Sequence, residues 1–267
     1  MLRAVVVAQI TDMHIRRRSH FLHHMPHVSG PLRRALNAIA KLRPLPDCII
    51  ATGDLTQNGT LAEYQRLREI LEAHARVPTY LLPGNHDRSA PLRSVFWDHK
   101  YLHQSEDGIL YTIERAALRI VALDSSDDRG SAGHLNEARL EWLSRRLRER
   151  PDTPTIVAMH HPPFPTGIGP FDRQEFGGRE ELGRIVQMHP QIRRIICGHV
   201  HQPLAGAWHG TTAVTAPSTA PTLSLHPRAP GLSWEPGGFL LHRHDRNGGV
   251  STAVIRTAAA KPVSLSA

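Results

Sequence analysis

The sequence predicts a single α/β domain built on two sheets, and three observations carry that reading. The first half alternates strand-like and helix-like segments, the pattern of parallel strands joined by crossover helices. Residues 108–123 hold two strand-like runs joined by a short turn, a hairpin signal that calls for a second, mixed sheet. The 267 residues suffice to bury a full core, with no repeat, no long low-complexity linker and no apolar run of membrane-spanning length.

The elements follow in order. Residues 4–10 read as the first strand. The short apolar stretch there resembles a weak export signal, but it runs into Thr11-Asp12 without a small-residue cleavage pattern, so a buried strand and a cytoplasmic protein are expected. Residues 31–42 form a helix with Leu32, Leu36 and Ile39 on one face and Pro31 suited to its first turn. Residues 47–52 give the second strand. Residues 60–75 give a helix opened by a capping box, Thr60 with Glu63 three positions on. Residues 78–82 give the third strand. The hairpin pairs 110–113 with 118–123. Helices follow at 136–149, with Asn136 as cap and Leu140, Leu143 and Leu147 in phase, and at 179–188. Strands at 155–159 and 192–197 complete the regular part. The stretch 202–257 is rich in Pro, Gly, Ser and Thr, with strand-like pieces at 239–242 and 250–255, and 258–267 reads as a frayed tail. All site motifs fall within 1–201. Cys48 and Cys197, the two cysteines, sit inside apolar runs and read as small core residues.

Seven potential metal ligands lie just after those strands. They are Asp12 and His14, Asp54 in Gly53-Asp54, Asn85 in Gly84-Asn85-His86-Asp87, His160 in His160-His161-Pro162, and His199 and His201 in Gly198-His199-Val200-His201. Sites in open α/β folds form at the carboxyl ends of strands. Two Asp, one Asn and four His combine hard oxygen with imidazole, which suits Fe, Mn, Zn or Co and excludes an all-thiolate or iron–sulfur site. Seven ligands exceed one tetrahedral ion and suit two ions sharing a carboxylate. One Gly-Asp or Asn-His-Asp is usually a turn, and the chain has 19 histidines, so His20, His23, His24 and His27 read as a solvated loop or the rim of a cleft. The ordered set differs, because chance must supply every block at once.

These blocks, in the order D-x-H, G-D, G-N-H-D, H, G-H-x-H, resemble the calcineurin-like metallophosphoesterases over residues 4–201. Thr52-Gly53-Asp54-Leu55-Thr56 with Gly59 and Glu63-Tyr64, His160-His161-Pro162-Pro163 with Gly167-Ile168, and Cys197-Gly198-His199-Val200-His201 are similar to the bacterial class III cyclic-nucleotide phosphodiesterases and related glycerophosphodiesterases. The resemblance implies a four-layer αββα sandwich of two mixed sheets flanked by helices. It implies two divalent or mixed-valence ions, one held by Asp12, His14, Asp54 and His201, the other by Asp54, Asn85, His160 and His199. It also implies hydrolysis of a small phosphodiester, a 3′,5′-cyclic nucleotide or a glycerophosphodiester, by in-line attack of hydroxide at the metals. Asn85 and His86 would meet substrate. His86 follows a ligand without being one, and would donate a hydrogen bond to a phosphate oxygen or a proton to the leaving oxygen. Asp87 would fix a nearby His tautomer or serve as a turn residue capping the next helix, and His161 reads as structural. The block 162–176 should overhang the cleft. Members cleaving small diesters tend to carry Met before the Asp there, where this chain has Phe171-Asp172.

Net charge is +8, with Lys41, Lys100 and Lys261 the only lysines. Arg16-Arg17-Arg18 reads as a solvated loop or as a positive rim that draws in phosphate. No aromatic-interleaved basic stripe or nucleic-acid motif is present, so a small molecule, and neither nucleic acid nor membrane, is the expected partner. In relatives the region after residue 203 often adds dimer contacts, which makes a homodimer or larger homo-oligomer an expectation. A phosphomonoesterase, a nuclease of the same fold and a non-catalytic scaffold are the alternatives.

Overall fold

The computed structural model describes residues 4–17, 29–115, 117–127, 130–219, 222–224, 231–233, 237–245 and 248–257. Arg18, the four histidines at 20–27 and the tail at 258–267 lie outside them.

The first sheet is built from β1 (Val5–Ile10), β2 (Cys48–Thr52) and β3 (Thr79–Leu82), all parallel, with helix α1 (Ser29–Ala40) between the first two and α2 (Leu61–His74) between the second pair. The capping box at α2 is present in full: the Thr60 side chain accepts from the Glu63 N–H, and the Glu63 carboxylate accepts from the Thr60 N–H. A short helix α3 (Ser89–Val95) and a 3-10 turn (Lys100–His103) lead on to the hairpin β4 (Tyr111–Arg115) and β5 (Leu118–Ala122). Then come α4 (Glu137–Arg148, capped by Asn136), β6 (Thr155–Ala158), α5 (Gly169–Asp172), α6 (Arg179–Met188) and β7 (Ile192–Cys197). The second sheet runs β4-β5-β6-β7-β9-β8, with β8 (Ala205–Trp208) and β9 (Thr211–Thr215) supplied by the C-terminal part.

Side-chain alternation explains the layering. Ile120, Ala122, Ile156 and Ala158 face the first sheet and share a core with Ile10, Ile49 and Ile50. Their neighbours Val121 and Val157 point the other way, onto Leu140, Leu143, Leu147, Leu182 and Ile185 of α4 and α6. Period-two alternation on a sheet buried on both faces produces this pattern. Helices α1 to α3 cover the outer face of the first sheet. The result is two mixed sheets with helices outside both, as the resemblance implied. Both cysteines are buried free thiols.

The C-terminal part does more than add strands. After a small ribbon of β10 (Thr222–Ser224) and β11 (Gly231–Ser233), β12 (Gly238–His244) inserts beside β1, antiparallel to it, and β13 (Val250–Arg256) closes that edge. The first sheet is therefore ordered β13-β12-β1-β2-β3. The strand carrying Asp12 is central, which the sequence pattern alone did not reveal.

One carboxylate clamps the loops that follow β2 and β3. Asp87 accepts from the N–H groups of Leu55 (2.9 Å), Thr56 (3.1 Å) and Gly84 (2.9 Å), and from the hydroxyls of Thr56 (3.0 Å) and Tyr64 (2.9 Å). Among the described residues it bonds to no histidine side chain, and it does not cap α3, whose N-cap is Arg88, so it fills neither expected role and ties the two loops together instead. An amide cannot replace it without turning a donor towards at least one fixed N–H. Asp87→Asn should therefore cost about 2–4 kcal/mol. Tyr64→Phe, which removes one donor and leaves the Arg88 N–H that Tyr64 accepts from unpaired, should cost about 1–2 kcal/mol. Urea unfolding of chelator-treated proteins checks this, and the order of the two variants is the critical result.

Candidate metal centre

The carboxyl ends of β1, β2, β3, β6 and β7 converge, and each delivers its predicted residue. The loops interlock first through backbone: Asp12 N–H donates to Gly53 O, His14 N–H to Asp54 O, and Gly198 N–H to His160 O. Among the non-glycine residues with left-handed backbone, five belong to the predicted set: Asp12 (φ 51°), His14 (45°), Asp54 (47°), His199 (72°) and His201 (57°). Each such residue costs on the order of 1–3 kcal/mol and persists only where its surroundings over-determine it. Here the strain aims side chains from tight turns into one volume.

Asp54 is at its centre. Its Oδ2 lies 3.6 Å from His14 Nε2 and its Oδ1 3.5 Å from His160 Nε2. On the first side, His14 Nε2 and His201 Nε2 are 3.1 Å apart and Asp12 Oδ1 is 3.4 Å from His201 Nε2. On the second, His160 Nε2 is 3.2 Å from Asn85 Oδ1. His160 Nδ1 donates to Thr52 O at 2.8 Å. With that proton committed, Nε2 offers a lone pair to two oxygen acceptors. Such an array of acceptors is unstable without a cation between them. Metal–ligand bonds of about 2.0–2.1 Å place neighbouring ligand atoms about 3.3 Å apart, and the separations here match. The donor atoms of Asp12, His14 and His201, and of Asp12, Asp54 and His160, form compact groups within 4.8 Å. The residues fit a dinuclear metal site.

Electrostatics agree. Burial pushes His14 and His199 down to about 3, so both are neutral imidazoles, the form that ligates. Burial opposes ionisation of Asp54, but His160, His14 and His86 outweigh it and hold the carboxyl well below its usual range. Burial also opposes protonation of His160, yet Asp54 and Asp12 raise it to about 9: a proton sits where a metal would compete. The turns leave no room for side chains. A Cβ on Gly53 would fall 2.2 Å from His160 Nδ1, and one on Gly84 2.3 Å from Asp54 Oδ1.

Around this core, His161 contributes no free nitrogen. Its Nδ1 meets Ser125 Oγ at 3.0 Å and its Nε2 donates to Ser131 O at 3.1 Å, as a structural role requires. His86 donates its backbone N–H to Asp54 Oδ1 (3.0 Å), and its ring stands edge-on to His14 at 4.9 Å. His86 Nδ1 lies 2.9 Å from Gln57 O and 3.2 Å from the Gln57 side-chain nitrogen. The shorter contact, to an atom that can only accept, assigns the proton to Nδ1. Nε2 therefore donates only from the imidazolium. Gln57 escaped the sequence reading because its backbone carbonyl carries the interaction. Arg16 is exposed and reaches Gln57 Oε1 at 3.4 Å, which sets it on the rim. Residues of the block 162–176 lie beside His161 and His199. Phe164, Phe171 and Phe176 wall a small pocket that reaches His199, and the Phe171 ring stands edge-on to His199 at 5.0 Å. Arg179 also lines it. Its sequence signal was an arginine at the first position of a helix, where the dipole disfavours a cation.

Among the described residues no helix is long and apolar enough to cross a membrane. Comparison with known proteins places the chain. A relative from Arcobacter nitrofigilis named probable glycerophosphodiester phosphodiesterase GpdQ is 32% identical over 252 residues, 93% of this chain and 92% of its own. The Escherichia coli K12 protein named 3′,5′-cyclic adenosine monophosphate phosphodiesterase CpdA is 31% identical over 226 residues, 83% of this chain and 78% of its own. A dimetal phosphatase from Danio rerio shares the fold, with a TM-score of 0.65 at 15% identity over 95% of this chain and 99% of its own. The family model described as calcineurin-like phosphoesterase matches residues 5–203, and with these relatives it establishes that the chain belongs to the calcineurin-like phosphoesterases.

Proposed function

We propose that this protein is a bimetal phosphodiesterase acting on small diesters, 3′,5′-cyclic nucleotides or glycerophosphodiesters. One observation carries the reading: Asp54 stands between two sets of ligand atoms, His14 with His201 and Asp12 on one side, His160 with Asn85 on the other. The names of both bacterial relatives support the diester class. Asp12, His14, Asp54 and His201 would hold one ion and Asp54, Asn85, His160 and His199 the other. The mixed oxygen and imidazole donors suit Fe, Mn, Zn or Co. Such a pair, when bound, supplies a nucleophile at neutral pH and neutralises phosphate oxygens. Asp54 would serve both ions, since a carboxylate can offer one oxygen to each side. Asn85 would bind through its neutral carbonyl oxygen and would leave its side of the centre the more electrophilic. His86, held by Gln57 O, directs Nε2 away from that carbonyl. As imidazolium it donates to a phosphate oxygen or to the departing alkoxide.

Asp54→Ala should abolish activity and reduce metal content to one ion per chain or none. Elemental analysis after gel filtration tests this, and two tightly bound ions in the variant would remove the bridging assignment.

His86→Ala should keep both metals and lose turnover by roughly a hundredfold to ten-thousandfold on alkyl diesters, and by less on aryl diesters, whose leaving group needs little protonation. Equal losses would make His86 a phosphate-positioning group, and a lost metal would make it a ligand.

Bis(4-nitrophenyl) phosphate should be preferred to 4-nitrophenyl phosphate in kcat/KM at the same pH and metal loading. A clear monoester preference would replace the phosphodiesterase reading with that of a phosphomonoesterase.

A further inference from the structure

The pocket beside His199 has a volume of about 110 Å³, well below the roughly 300–1,000 Å³ of cavities that enclose a drug-sized ligand. It has room for one short substituent and none for a nucleoside. Phe164, Phe171 and Phe176 give it an aromatic side, Thr166 and Gln174 make the rest polar, and Arg179 and Asp172 are the cation and the anion among its lining residues.

That guanidinium is half-buried and makes no hydrogen bond or ion pair with another described residue. Asp172 is near enough to feel its charge, yet the aspartate is already engaged. Its Oδ1 accepts from Thr166 N–H at 2.7 Å and Thr166 Oγ1 at 2.8 Å, and its Oδ2 accepts from Gly167 N–H at 2.8 Å. It pins its own loop and forms no hydrogen bond or ion pair with Arg179. Arg179 also opens α6, where the helix dipole opposes a positive charge. A planar group with five donors, set against aromatic walls, at an electrostatically unfavourable position and unpaired, is suited to an incoming anion.

Resting on the phosphodiesterase reading above, we infer that this pocket receives one substituent of the diester, a short alcohol of about three carbons carrying its own anionic group, and that Arg179 pairs with that group. The metal centre holds the phosphate, and the pocket selects what is attached to it by size and charge.

Esters of 4-nitrophenyl phosphate whose second substituent is ethyl, 2-carboxyethyl or 2-aminoethyl test this with the leaving group held constant. The metal-loaded wild type should favour the carboxyethyl over the ethyl ester by about tenfold to a hundredfold in kcat/KM, the range of a charge-assisted hydrogen bond, with the aminoethyl ester slowest. In Arg179→Gln the carboxyethyl-to-ethyl ratio should fall to about one, and in Arg179→Glu the order should reverse in favour of aminoethyl. Because each ratio is internal to one protein, a general loss of activity does not disturb it. Arg179→Lys, the mildest change, should keep part of the preference if the other variants do not fold. Equal rates on all three esters in the wild type, or a preference that survives Arg179→Gln, overturns the assignment while leaving the phosphodiesterase reading intact. No hydrolysis of any ester overturns both.

Discussion

The site depends on one hydrogen bond between the two sheets, from His160 Nδ1 to the Thr52 carbonyl at 2.8 Å. It joins the end of β6 to the end of β2 and fixes which imidazole nitrogen carries the proton. Nε2 is thereby turned on Asp54 and Asn85. The absence of Cβ at Gly53 follows from the same ring, which occupies the space a side chain would need, and at Gly84 Asp54 occupies it first with the ring next to it. A parallel tie lies below, where Gln9 Nε2 donates to Thr52 Oγ1 and to Cys197 O, both at 2.8 Å. The sheets are thus locked together directly under the loops that carry the ligands. Ligand geometry and inter-sheet packing are one constraint.

Two carboxylates placed by the same pair of loops have opposite chemistry because their neighbours differ. Asp87 meets only donors and is saturated by them, which makes it a fastener. Asp54 meets one backbone N–H, from His86, and otherwise imidazole nitrogens that want a cation as it does. Asp172 repeats the first pattern on its own loop, with its oxygens given to Thr166 and Gly167. In each case the surrounding donors and acceptors decide whether an acid holds structure or is available for chemistry.

Much of this was legible beforehand, and the part that was not has a physical reason. The helix at 60–75 could be read because Thr60 and Glu63 cap it locally. The ligand strands could be read because apolar runs end in Gly-Asp, Gly-Asn and Gly-His turns. The placement of β12 beside β1 could not, since antiparallel pairing between residues 5–9 and 240–244 leaves no local mark in the sequence. Gln57 was invisible because a backbone carbonyl has no residue type. Asp87 was ambiguous because an acid beside a ligand has the same letter whether it faces a histidine or five donors.

The insertion of β12 also orders events in time. Residues 4–201 contain every predicted ligand, yet one long edge of β1 stays bare until residues 238–244 pair with it. Contacts that distant in sequence are slow to close and expose sticky edges while they wait. During synthesis the strand bearing Asp12 is made well before the strand that encloses its free edge. The last predicted ligand, His201, is therefore made before the strand that completes the sheet around Asp12. Assembly of the centre is a late event that depends on the part of the chain with no ligands in it.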